Sequence, residues 1–269
     1  MLDLLHQNWE TLMGDDVIDF ENQLKLAQKD DAAKAFAARP SPEGLSDIGL
    51  DALRAADALL NRFYEDENPG QGLACTKGCT FCCHQYVGIS LPELVILAKF
   101  ITSNFSDDER QSLIRRIDEV IAKTRGMDWL DRSSTNIDCP LLDPETRRCQ
   151  AYAARPLTCR GMHSLSREAC EAAHEAPGTG LTLPQYEAHK RILRSLAIGL
   201  QLGLDKQGAE VAELDMAAAL KLVLDDPGYG EFTSDGRRHG MAARFQQDGH
   251  QIDHVLIVIN NRPVAKVAY

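Results

Sequence analysis

Eight cysteines are the residues of this 269-residue chain best suited to chemistry: Cys75, Cys79, Cys82, Cys83, Cys139, Cys149, Cys159 and Cys170. All lie between residues 75 and 170, whereas cysteines that merely fill a core would scatter along the chain. Cys75-x3-Cys79-x2-Cys82-Cys83 packs four thiols into nine residues. Steps of four and three residues put Cys75, Cys79 and Cys82 on one side of a helical turn or tight loop. Gly78 suits a knuckle where backbone must curl around an ion. Zinc and iron–sulfur clusters both take thiolates at such short spacing. Cys82 and Cys83 are adjacent, so their side chains leave the backbone in different directions. Both can ligate only in a dinuclear site or cluster, or by serving two different ions.

The second set is spread wider: Cys139-Pro-Leu-Leu-Asp, then Cys149, then Arg155-Pro-Leu-Thr-Cys159-Arg160, with Cys170 beyond. Only the fold can assemble it. All eight are candidate metal ligands, with Cys170 the weakest. His84 and His163 stand near enough to replace a cysteine, although a histidine beside such a site is more often a neighbour than a ligand. Asp138 and Asp143 read as loop aspartates. Arg155 and Arg160 flank Cys159, where they either supply charge or hydrogen bonds to sulfur or anchor loops as ordinary surface arginines.

Charge arithmetic favours a cation. The net charge is −9 over residues 1–74, +1 over 75–170 and −3 over 171–269. Ionising eight thiols would take the middle segment from +1 to −7, and two divalent ions would return it to −3. Thiolates cannot sit together unneutralised in a low-dielectric site. The net charge of −11 argues against nucleic acid or an anionic membrane surface as partner. No apolar stretch approaches the roughly eighteen residues of a membrane helix, and the first residues lack the pattern of a signal peptide. The expected compartment is the cytoplasm, where thiols stay reduced and serve metals rather than disulfides.

The elements around the cysteines read as helices. Residues 16–39 carry Val17, Phe20, Leu24, Ala27 and Phe36 on one face, and 39–44 is a breaker. Residues 45–64 form a second amphipathic helix, followed by a polar linker at 65–72. Ser90-Leu-Pro-Glu93 and Ser106-Asp-Asp-Glu109 are capping boxes, opening helices to about Ser103 and through Leu113, Ile117, Val120 and Ile121. Residues 126–138 and 177–180 read as loops, and 183–204 and 209–224 as further helices. Asp235-Gly236, Asp248-Gly249 and the β-branched run 255–259 predict a small antiparallel meander. The expected fold is mainly α, a helical body organised around a cysteine-rich metal site with a small C-terminal β meander. Its segments are 1–70, acidic and helical; 71–175, the cysteine cluster; 176–226, helices packing on it; and 227–269, the β tail. The N-terminal helices are expected to bury their apolar faces against the rest of the chain. The alternative is a docking module for a basic protein partner.

Taken together, C-x3-C-x2-C-C at Cys75–Cys83, C-P-L-L-D at Cys139–Asp143, C-x2-Y at Cys149–Tyr152 and R-P-L-T-C-R at Arg155–Arg160 resemble the bacterial cysteine-cluster proteins of the YkgJ type. That family is described as a zinc- or iron-chelating domain, and the resemblance spans about residues 71–171. It implies chelation of zinc or iron and names no reaction. A similar cluster occurs in flagellin lysine N-methylases. Two functions from different classes follow. One is a non-catalytic metal-binding protein holding zinc, iron or an iron–sulfur cluster. The other is an iron–sulfur, S-adenosylmethionine-dependent enzyme that modifies protein, such as a lysine methylase. The first is favoured, because the helical pattern lacks the strand–helix alternation of the radical-enzyme barrel.

Overall fold

A computed structural model of the chain describes residues 17–66, 70, 72–207, 213–225, 254–259 and 262–268. Helix α1 runs Val17–Ala38 and α2 Pro42–Asp66. The break between them is shorter than the sequence suggests. Pro42 fits the first helical turn, where its missing N–H costs nothing, and the Ser41 hydroxyl accepts the Gly44 N–H at 3.2 Å. After the cysteine loop come α3, Leu91–Asn104, and α4, Asp107–Thr124, both opened by the capping boxes read from the sequence. In the second, the Ser106 N–H donates to Glu109 Oε2 at 2.7 Å and the Glu109 N–H to Ser106 Oγ at 3.3 Å.

Between residues 126 and 138 the expected loop contains one helical turn, α5, Trp129–Ser133. The Asp128 carboxylate, accepting the Asp131 N–H, caps it. Short helices α6, Leu157–Gly161, and α7, Arg167–Glu175, carry Cys159 and Cys170. The long helix α8, Glu187–Asp205, starts four residues later than its hydrophobic pattern predicts. Residues 183–186 are held outside it, because the Pro184 carbonyl accepts the Leu165 N–H and the Tyr186 N–H donates to His163 Nε2.

The helix expected over 209–224 is shorter as well. Leu214–Asp215 forms strand β2, antiparallel to β1, Gly88–Ile89, and only then does α9 run Met216–Asp225. Asp215 caps it by accepting the Ala218 N–H at 2.8 Å. Strands β3, His254–Ile259, and β4, Arg262–Ala268, pair antiparallel. The register shifts after Ile257, so that Val258 faces Pro263; a bulge is where a proline, with no N–H to donate, can sit in a strand. The turn signals at 235–236 and 248–249 lie outside the described residues.

Helix α1 lies along α8, and α2 packs on α3 and α8. The α1–α8 approach is close enough to demand glycine. A Cβ on Gly199 would come 2.5 Å from the Lys25 carbonyl oxygen, and one on Gly203 2.5 Å from that of Lys29. Leu24, Leu59, Leu97, Ile101, Ile117 and Leu196 are fully buried, each contributing about 1.5–3 kcal/mol of hydrophobic stabilisation. One cluster joins α1, α2, α3, α4, α6, α8 and α9, and Cys139 and Cys149 pack against it. The apolar faces of the N-terminal helices are therefore covered by the rest of the chain.

Candidate metal centre

The first four cysteines sit on a loop, not a helix. The Cys79 N–H donates to Thr76 O at 3.0 Å and the Cys83 N–H to Thr80 O at 2.8 Å, giving two consecutive turns. Gly78 has φ +90°, a conformation that any side chain would strain. The loop is tied at its start by the Ala74 N–H to Ser164 O at 2.9 Å, and later by the Cys139 N–H to Cys83 O at 2.8 Å. That second bond links the two cysteine sets through backbone.

A tight hairpin brings Cys139 and Cys149 together. Leu142 and Cys149 form an antiparallel bridge, and the Gln150 N–H donates to Leu141 O at 2.9 Å. Asp143 shapes the hairpin tip by accepting from the Glu145 and Thr146 N–H groups. Asp138 holds Arg147 through two bonds of 2.6 and 3.1 Å. Asp143 thus serves a turn, as the sequence suggests, whereas Asp138 pairs across the hairpin with Arg147. Arg116 of α4 braces the hairpin from below, donating to Pro140 O at 2.8 Å and Gln150 Oε1 at 2.6 Å. Arg132 of α5, itself buried, donates to His84 O at 2.6 Å and Ile137 O at 3.0 Å, clamping the chain just after the first set to the chain just before the second. Nothing in the sequence around either arginine marks it.

Cys159 is positioned by both ends of α6. At the start, the buried Glu93 carboxylate accepts the Leu157 N–H at 2.7 Å while also accepting the Ser90 N–H and hydroxyl. Burial raises the Glu93 pKa against these hydrogen bonds. At the end, free carbonyls are taken by two stacked imidazoles 3.9 Å apart. His163 Nδ1–H donates to Gly161 O at 2.9 Å, and His189 Nε2–H to Arg160 O at 2.9 Å. The other nitrogens accept, from the Tyr186 N–H and the Tyr64 hydroxyl respectively. His163 therefore has both nitrogens engaged and is a brace rather than a ligand. His84 is buried against the ring of His174, with Nδ1 3.1 Å from Asp138 Oδ1 but not aligned for a hydrogen bond.

Burial pushes up the thiols of Cys75, Cys139, Cys149 and Cys159, Cys139 to about 12. The exception is Cys82. The Cys83 thiol donates to it, drawing Cys82 down to about 7 and pushing Cys83 up. Arg155 stands among these sulfurs, its charge favouring the thiolates of Cys82, Cys149 and Cys159. Its guanidinium carbon lies 3.8 Å above the Tyr152 ring, and its buried Nε has no hydrogen-bond partner among the described residues. A buried donor without an acceptor costs free energy, and a thiolate would satisfy it. Arg160 instead pairs with Asp57 and donates to Arg155 O and Ala153 O, a structural role.

The fold leaves all eight cysteines free of disulfides and brings them within electrostatic reach of one another in overlapping groups. It does not close them: among the described residues no three Cys, His, Asp or Glu side chains converge in metal-ligand arrangement. The helical body is as the sequence predicts, whereas among the described residues no closed metal site organises it.

Residues 74–176 match the CxxCxxCC family model, described as "Putative zinc- or iron-chelating domain". The resemblance read from the cysteine spacing holds over that segment, which is less than half the chain. Chelation of zinc or iron is the property that this domain description carries. No curated protein and no solved structure matches the chain. Among the described residues no helix is long and apolar enough to cross a membrane.

Proposed function

We propose that the chain is a metal-binding protein that chelates zinc or iron through Cys75, Cys79, Cys82, Cys83, Cys139, Cys149, Cys159 and Cys170, and that it binds rather than reacts. The observation that carries this reading is that eight free thiols from distant segments come near one another on braced loops and two short helices. The buried, unpartnered Nε of Arg155 beside them supports it. Protonated, these sulfurs have weak hydrogen-bonding ability and gain little from being together. Deprotonated, they need a cation, and zinc or iron accepts soft thiolates at the expense of harder ligands. A sulfur set this large can fill a coordination shell, which suits structural, chaperone or sensing roles. When bound, the metal would supply the positive charge that holds the thiolates ionised.

The test is the metal content of full-length protein purified without oxygen. Colourless protein with stoichiometric zinc, or coloured protein with iron, supports the reading, and acid-labile sulfide would specify an iron–sulfur cluster. Protein that retains neither metal after incubation with each under reducing conditions would overturn it.

A further inference from the structure

The eight thiols face two different environments. Cys75, Cys79, Cys82 and Cys170 line a cavity of about 260 Å³, and none of Cys83, Cys139, Cys149 or Cys159 lines it. Apolar side chains of Phe81, Leu130, Met162, Leu181 and Leu183 form much of its wall. None of the lining residues is Asp, Glu, Lys or Arg. Cys75 is exposed, as are Leu130 and Leu181, so the cavity communicates with solvent.

The backbone supports the same division. Cys75 is tied to the chain that leads into α7: Ala74 bonds Ser164, and α7 carries Cys170. Cys83, by contrast, is tied to Cys139, and Cys139 to the hairpin that holds Cys149. Apart from Cys82, electrostatic neighbours sort alike. Cys75 feels Cys79, Cys82 and Cys170, whereas Cys83 feels Cys139 and Cys149, and Cys159 feels Cys139 and Cys149. The sets meet at the Cys82–Cys83 peptide, where one thiol hydrogen-bonds the other and Cys82 is also felt by Cys149 and Cys159.

We infer that the cluster comprises two metal sites of four thiols each: an exchangeable one at the cavity, from Cys75, Cys79, Cys82 and Cys170, and a structural one away from the cavity, from Cys83, Cys139, Cys149 and Cys159. This rests on the metal-binding reading above and gives its two halves different tasks. The cavity has room beside its sulfurs for a small uncharged donor molecule to approach and exchange. The other set is partly buried away from the cavity, with Cys139 and Cys149 packed against the core, and its ion is held as part of the fold. The neighbouring pair Cys82-Cys83 is then explained: each residue serves a different ion.

Competitive alkylation of zinc-loaded, full-length protein tests this without mutation. Zinc is measured as limiting iodoacetamide reacts, and modified cysteines are mapped by mass spectrometry. The expected result is two zinc equivalents at saturation. The first leaves in step with modification of Cys75, Cys79, Cys82 and Cys170, while the second stays until Cys83, Cys139, Cys149 and Cys159 react at least tenfold more slowly. Saturation at one equivalent, or a single phase in which all eight react together, would overturn the division while leaving metal binding intact. Protein that binds no zinc and no iron would remove both readings. As a second arm, C75S/C170S should fold, as judged by circular dichroism, and keep one of two equivalents. A folded double variant that keeps none, or both, would also overturn it.

Discussion

Two residues outside the cysteine set do the most to place Cys159. Glu93 satisfies three donors from within the core. Glu93→Ala leaves the Leu157 and Ser90 N–H groups buried without partners, at about 1–3 kcal/mol for each unsatisfied group. Glu93→Gln keeps an acceptor and should cost less. Urea unfolding of both variants checks this, and equal losses would mean that charge rather than acceptance is what matters. His189 is the second. Burial holds its imidazole neutral, with the pKa drawn from 6.5 down to about 4. Unfolded chain takes up a proton there near pH 6.5, folded chain only near 4. The stability contributed by neutral His189 is therefore complete above pH 6.5 and is lost as pH falls from 6.5 toward 4, by at most about 3 kcal/mol. The thermal midpoint should drop across that window in the native chain and drop less in His189→Gln. Parallel profiles would show that other groups carry the acid sensitivity.

At the scale of elements, the contact between α1 and α8 depends on what is missing from it. Gly199 and Gly203 sit one turn apart and let the α1 backbone lie directly on α8. Gly203→Val would drive a branched side chain into the Lys29 carbonyl and the Ala32 methyl, contacts of 2.5 and 2.7 Å already at the Cβ. Gly203→Ala puts only that Cβ there. The valine variant should lose about 1–3 kcal/mol or more through overpacking, with the alanine variant intermediate, because its better helix propensity offsets part of the clash. Chemical denaturation of the three proteins gives the ranking. An unchanged midpoint for the valine variant would mean that α1 can slide without loss.

For the whole molecule, the apolar core and the cysteine loops divide the task of folding. Helices α1, α2, α3, α4, α8 and α9 have a continuous apolar core of their own, whereas residues 72–85 show little burial. Ligand binding that occurs only in the native state adds to stability. Removing metal with a strong chelator under reducing conditions should therefore lower the thermal midpoint without abolishing helical circular dichroism. Complete loss of helix would mean that the core depends on the metal. An unchanged midpoint after verified metal loss would mean that the cysteine region folds on its loops alone.

Much of this molecule is legible locally. Capping boxes at Ser90 and Ser106, a 3.6-residue apolar period and the crowding of Cys75–Cys83 act over a few residues, so the sequence alone determines the helices and the class of chemistry. The match over residues 74–176 agrees with that chemistry. Where local pattern met distant contact, it lost. Leu214–Asp215 left the predicted helix to pair with Gly88–Ile89, and residues 183–186 left theirs to meet Leu165 and His163. The braces at Arg116, Arg132, Glu93, His163 and His189 are ordinary residue types, and their partners lie far along the chain or in loops without pattern. Spacing showed that Cys82 and Cys83 must point differently. Only the tertiary structure decided where they point, because a side chain's surroundings are set by which segments the core packs beside it.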